Sequence, residues 1–155
     1  MNHPRVGSMA DLMRLASTEL GPSEWLEVTQ EMVTAFADAT MDRQWIHLDR
    51  ERAAKGPYGT TVAHGFLVLS LGPHLVRQVL DLSALQAGIN YGVNRVRFPS
   101  PTPVGSRLRL RVAIREVTAL TNGARVTMEY TFERDGGDRP VCVAEVVSQM
   151  MFAPE

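Results

Sequence analysis

The sequence predicts an α+β domain in which a curved antiparallel sheet wraps around one long, almost wholly apolar helix. Three observations carry that expectation. Residues 62–80 are apolar around most of a helical wheel, so this helix has no side to give to water and must be enclosed. Residues 107–117 and 124–132 alternate instead: Leu108, Leu110, Val112 and Ile114 against arginines, then Val126, Met128, Tyr130 and Phe132 against polar neighbours. Turn signals at Thr121-Asn122-Gly123 and at Gly136-Gly137 join these runs by short reversals, as antiparallel strands require.

The elements follow in chain order. Residues 1–8 show no periodic apolar pattern and are expected to be an extension outside the fold. Met9, Leu12, Met13, Leu15, Ala16 and Leu20 are spaced for a short amphipathic helix over 9–20, stopped by Gly21-Pro22-Ser23. Residues 24–28 read as a short strand. Thr29 is a good N-cap for a helix starting at Gln30, with Glu31 favoured by the helix dipole and Val28 and Val33 placed as a hydrophobic staple. Met32, Val33, Phe36 and Ala37 give that helix one buried face, and it ends near Thr40. Residues 41–61 are polar and broken by Gly56-Pro57 and Gly59, which predicts a long loop with one helical turn at 50–54; loops of this length often carry function. Gly72-Pro73 predicts a kink or break in the apolar helix. Strands over 88–98 and 140–152 complete the sheet, the first ended by Pro99, Pro101 and Pro103. A sheet wrapped around such a helix is the hot-dog arrangement, and 155 residues without an internal repeat fit a single domain over 1–155.

Composition narrows the function. An apolar fraction of 45% and a charged fraction of 21% argue against disorder. A net charge of -1 disfavours a nucleic-acid binder, which usually shows a basic patch or balance. No stretch reaches the roughly 20 apolar residues of a membrane span, and no secretory signal opens the chain, so the expectation is a cytoplasmic protein without membrane contact. Cys142 lies in an apolar run and reads as a buried, inert thiol.

The informative stretch is Asp42-Arg43-Gln44-Trp45-Ile46-His47, followed past the loop by Ala63-His64-Gly65 at the start of the apolar helix. Together with Ile89-Asn90-Tyr91-Gly92, Arg97-Phe98-Pro99 and Pro103-Val104-Gly105-Ser106, these residues resemble the MaoC-like (R)-specific enoyl-CoA hydratases from about Glu24 onward. The resemblance implies that Asp42 and His47 hold a catalytic water and that Gly65 helps bind the thioester oxygen. It also implies a homodimer, an acyl-CoA or acyl-carrier-protein thioester as substrate, and neither a metal nor another cofactor. Some family members carry a serine further along the central helix that supports the catalytic pair; this chain has Ser70-Leu71-Gly72-Pro73 in that region.

Chemistry gives these residue types an independent reason. Adding water to a conjugated enoyl thioester needs a base for the water, a proton for Cα, and donors for the charge that builds on the thioester oxygen. An Asp and a His sharing one water provide the first two, either being able to act as formal base because their titrations are coupled. A free backbone N–H at a helix start provides the third, and glycine there lets the acyl group come close.

Blander roles compete with each assignment. An aspartate after a helix commonly just caps or solvates the chain, and a lone histidine is commonly structural. His64 is expected to brace the loop or pack at the helix start beside the oxyanion site, and His74 to be structural. Asn90, Tyr91 and Arg97 are candidates to line the acyl or coenzyme A path, or else belong to the strand and a dimer interface. Asp42, His47, Asp49 and His64 are types that zinc or iron accepts, but their spacing matches no common ligand motif. The arginines from Arg107 to Arg115 read as a solvated strand face, with one or two of them also candidates to meet phosphates of coenzyme A. The same fold would also suit a thioesterase, which releases free thiol, or an acyl-thioester-binding subunit without turnover.

Overall fold

The computed structural model describes residues 3–153. One antiparallel sheet dominates it, built from β1 (Glu19–Leu20), β2 (Leu26–Glu27), β3 (Leu85–Arg97), β4 (Arg107–Leu120), β5 (Gly123–Arg134) and β6 (Cys142–Phe152). Its order is β1-β4-β5-β6-β3, and β2 pairs with a second stretch of β4. The short pieces share one edge, with Leu20 opposite Val112 and Leu26 opposite Leu108.

The alternation read from sequence sets the two faces. Leu108, Leu110 and Ile114 of β4 and Val126 and Phe132 of β5 are fully buried on the inner face, with Met128 and Tyr130 nearly so. Each such side chain stabilises the fold by about 1.5–3 kcal/mol relative to exposure. On the outer face, Glu133 accepts from Arg109 at 2.6 Å and from Arg111 at 2.8 Å, Arg115 pairs with Glu129 at 2.8 Å, and Arg107 pairs with Asp135. The arginine stripe is therefore answered by carboxylates on β5 and just past its end, each exposed pair contributing at most about 1 kcal/mol.

The enclosed helix runs as α5 (Gly65–Ser70) and α6 (Gly72–Val76), hinged at Leu71. The hinge is mild, since Leu75 N–H still reaches Leu71 O at 3.0 Å. The glycine of the expected kink has a packing cause as well: a Cβ at Gly72 would lie 2.7 Å from Cε2 of the buried Tyr130. Val68 and Leu75 press onto the sheet's inner face. No helix among the described residues is long and apolar enough to cross a membrane.

Four expectations need correction. The first helix, α1, covers only Met9–Leu15. Thr18 donates its hydroxyl to Leu15 O at 2.7 Å, and Glu19–Leu20 leave to pair with β4, where strand hydrogen bonds win over helical spacing. Of the extension expected at 1–8, Met1 and Asn2 lie outside the described residues, but the following stretch is anchored. Val6 is fully buried and donates to Asp81 O at 2.9 Å, Asp81 returns a bond to Pro4 O at 3.0 Å, and Ser8 caps α1. Periodicity could not reveal one buried valine. The long loop is also more regular than expected, holding α3 (Trp45–Leu48) as well as the anticipated turn, α4 (Arg50–Ala54). Finally, β3 begins at Leu85 rather than 88 and is exposed along most of its 13 residues, an edge strand lacking an outer partner among the described residues.

Candidate active site

The site forms where α2 (Gln30–Thr40) hands the chain to the loop. Thr29 caps α2 as its type suggests, and Met41 adopts a left-handed backbone (φ 62°) that turns the chain so that Asp42 starts the loop exposed to solvent. Trp45 then opens α3 and fastens the loop, with Arg52 over its ring at 4.3 Å and Gly56 against the ring's edge. His47, two residues on, is carried inward and is only 6% exposed.

Three bonds hold His47 in place. Ile46 O accepts from Val62 N–H at 3.0 Å, so α3 and the approach to α5 are tied together. The His47 ring donates from Nδ1 to Val62 O at 2.6 Å, because a carbonyl can only accept. Gln30 donates to His47 O at 2.8 Å while accepting from the buried Thr61 hydroxyl at 2.7 Å. Burial pulls the proton affinity of His47 below its ordinary value and outweighs the opposing pull of the Val62 bond; nearby His64 lowers it further and Asp42 raises it. The ring is thus held neutral, its Nδ1 committed and its Nε2 left to accept a proton.

His64 comes up against this pair from the helix start. Its Nε2 donates to the backbone oxygen of Asp42 at 2.9 Å, and its ring stacks on His47 with centroids 3.7 Å apart and planes 24° from parallel. Phe36 of α2 lies on it at 5.0 Å. Asp42, His47 and His64 each offer a polar atom within 4.8 Å of the others, a cluster able to share one water; its donor set would also suit a transition-metal ion. Asp49, the fourth candidate ligand, is elsewhere, accepting from Arg52 N–H at 2.9 Å as the cap of α4.

Gly65 opens α5, so its N–H has no intrahelical partner, and no described residue accepts from it. The ring of Phe98 covers the glycine: a Cβ there would stand 2.9 Å from Phe98 Cγ and Cδ2. His47, Tyr58, Ala63, Gly65, Phe98 and Thr102 line an open cleft here. The cleft therefore holds a neutral imidazole and an unpaired amide, and the Asp42 carboxylate lies close to the imidazole.

The remaining expectations part company. Ser70 does not support the pair; its hydroxyl bonds Phe66 O one turn back at 2.7 Å. Within this chain Asn90 stands opposite Ser148 midway along β3, and Tyr91 lies under Arg125 at 4.3 Å, on the outer face of the sheet. Neither joins the Asp42–His47 pair. Arg97 ends β3 beside Phe98 and folds back onto Val96 O at 2.7 Å. Sequence reasoning missed Gln30 and Phe36, for which α2 offered no signal beyond a helix face, and missed Phe98, which the Arg97-Phe98-Pro99 motif had already marked.

Residues 14–135 match the family described as MaoC like domain. The chain is 50% identical over 141 residues to 3-hydroxyacyl-thioester dehydratase Z of Mycobacterium tuberculosis, covering 90% of this chain and 93% of that protein. It is 41% identical over 150 residues to nodulation protein N of Rhizobium leguminosarum bv. viciae, covering 95% and 93%. Among solved structures, the MaoC-like dehydratase from Rhodospirillum rubrum superposes with a TM-score of 0.74 at 24% identity, over 90% of this chain and 94% of that one.

Proposed function

The chain belongs to the MaoC-like domain family, and on that premise we propose that it is a hydro-lyase that reversibly adds water to trans-2-enoyl thioesters to give (R)-3-hydroxyacyl thioesters. The observation that carries the reading is that His47 clusters with Asp42 and lines one cleft with Gly65, whose amide is unpaired.

In this reading Asp42 and His47 Nε2 hold the attacking water between them. As the water oxygen bonds to Cβ, one of its O–H bonds breaks toward the pair, and His47 is suited to receive that proton because its Nδ1 is already spent on Val62. The π electrons move toward the thioester, whose oxygen becomes negative and accepts from Gly65 N–H. The proton then returns to Cα, closing the Cα–H bond and restoring the pair. Run backward, the same steps expel water from a 3-hydroxyacyl thioester. No step calls on a metal or a redox cofactor, and the thioester carrier is coenzyme A or an acyl carrier protein.

The proposal includes a homodimer. β3 is a 13-residue edge without proline or lysine, and Ile89, Tyr91 and Val93 on it are exposed, whereas soluble proteins blunt such edges or cover them. A second copy pairing β3 to β3 covers the edge and brings Asn90, Tyr91 and Arg97 to a seam between the two chains, where they can serve the substrate path. A cytoplasmic setting is part of the same reading, in keeping with a lone, buried Cys142 thiol.

Crotonyl-CoA tests the reaction. The parent is expected to bleach the enoyl absorbance without releasing free thiol, and Asp42→Asn and His47→Ala are expected to lose at least about 100-fold, the usual weight of a general acid–base group. Unchanged activity in both variants removes the mechanism, and thiol release would make the protein a thioesterase.

A further inference from the structure

We infer that His64 is a positioning residue: it ties the Asp42 backbone to the start of α5 and so fixes the carboxylate, the imidazole and the Gly65 amide as one unit. The catalytic consequence rests on the hydro-lyase reading, whereas the tether itself does not.

The ring is 3% exposed, and its Nδ1 is buried with no partner among the described residues. A buried nitrogen without a partner is a net cost that a phenylalanine of the same breadth would avoid, so filling space beside Phe36 does not account for an imidazole here. The bond from Nε2 to Asp42 O does. That bond is the firm anchor of Asp42, whose N–H otherwise reaches the Thr40 hydroxyl only at 3.4 Å. His47 is different, being held by Val62 and, through its carbonyl, by Gln30. Removing the His64 donor therefore frees Asp42 while leaving His47 in place. Because His64 is followed directly by Gly65, the same bond sets the distance from the carboxylate to the amide that opens α5.

Two substitutions separate tether from packing. His64→Phe keeps a ring against His47 and Phe36 but has no donor; His64→Gln keeps an N–H at the height of Nε2 but has no ring. The expected result is a kcat loss of roughly 10- to 100-fold in His64→Phe with KM little changed, the scale of a misplacement near 1 Å, and a substantial restoration of kcat in His64→Gln. Amide hydrogen exchange at Asp42 and Arg43, whose N–H groups bond the Thr40 hydroxyl and Met41 O, is expected to quicken in the Phe variant and to stay near the parent rate in the Gln variant. The exchange result stands even if the parent fails to hydrate crotonyl-CoA, so failure of the reaction and failure of the tether are told apart. The tether is overturned if His64→Phe matches the parent in exchange, or if both variants lose kcat and quicken exchange equally.

Discussion

Gly65→Ala separates the two reasons for having glycine at the helix start. The backbone there is not left-handed, so alanine is accepted and helix propensity favours it by up to about 1 kcal/mol. Against this, the new methyl would stand 2.9 Å from two Phe98 ring carbons, where ordinary contacts are about 3.5–4.0 Å. The ring must retreat by several tenths of an ångström, and it can: Phe98 is 40% exposed and touches Phe66 edge-on at 5.8 Å. Overpacking at so yielding a place costs near the lower end of the usual range, about 1 kcal/mol, so the two effects nearly cancel. Melting temperature is then expected to move by no more than about 2–4 °C, the shift that 1 kcal/mol gives a chain of this size. Activity is another matter on the proposed reading, because a methyl on Gly65 crowds the amide that the thioester oxygen would approach. Loss of one such donor costs roughly 100- to 1,000-fold in kcat. Crotonyl-CoA turnover and thermal melting on the same samples measure both quantities. Adding Phe98→Leu relieves the ring and leaves turnover low, since the methyl remains. Recovery of turnover in the double variant would show that the glycine serves only the ring, and the amide would lose its oxyanion role.

Three more expectations follow from the same geometry. Because burial depresses His47 below 6.5, the unfolded chain takes up the proton first as pH falls; the stability linked to His47 is complete above 6.5 and drains away as pH drops toward the folded value. Urea unfolding on either side of 6.5 should show this slope in the parent and a shallower one in His47→Gln, and equal slopes would mean that His47 is not buried neutral. Gly72→Ala puts a methyl 2.7 Å from Tyr130 Cε2, in a place with no outlet, and should cost about 1–3 kcal/mol by urea titration. Val93→Lys on the open edge of β3 is expected to break the proposed dimer into monomers in light scattering without lowering the melting point as a core change would; a dimer that persists would move the interface elsewhere.

Which parts of the structure were legible in the sequence follows from where each signal resides. The central strands declare themselves because each residue's face is fixed by its parity: Leu108, Leu110, Val112 and Ile114 point one way for as long as the pleat is regular. The α2 cap is equally local, Thr29 bonding Met32 N–H at 3.3 Å within four residues of chain. Parity fails in β3, where register shifts fall between Asn90 and Gly92 and between Val93 and Arg95. Asn90 and Val93 pair with the inner residues Ser148 and Val146 of β6, while Tyr91, caught in the bulge between, goes to the outer face and Arg125. Counting along the strand therefore cannot say which of its side chains could meet a substrate.

The site itself divides along the same line. The proposed reacting groups were marked by a resemblance whose motif one loop carries, and the chemistry accounts for their types, but their supports are bonds between distant segments: Gln30 to His47, His47 to Val62, His64 to Asp42. Backbone carbonyls accept all three of these side-chain donors, and a carbonyl leaves no mark in the residue alphabet. Ser70, in the region where some family members carry a supporting serine, is spent on its own helix. Its part falls to groups that reach the loop from α2 and from the residue before Gly65, so substitutions at Gln30 or His64 should alter turnover while leaving the reacting residues themselves untouched.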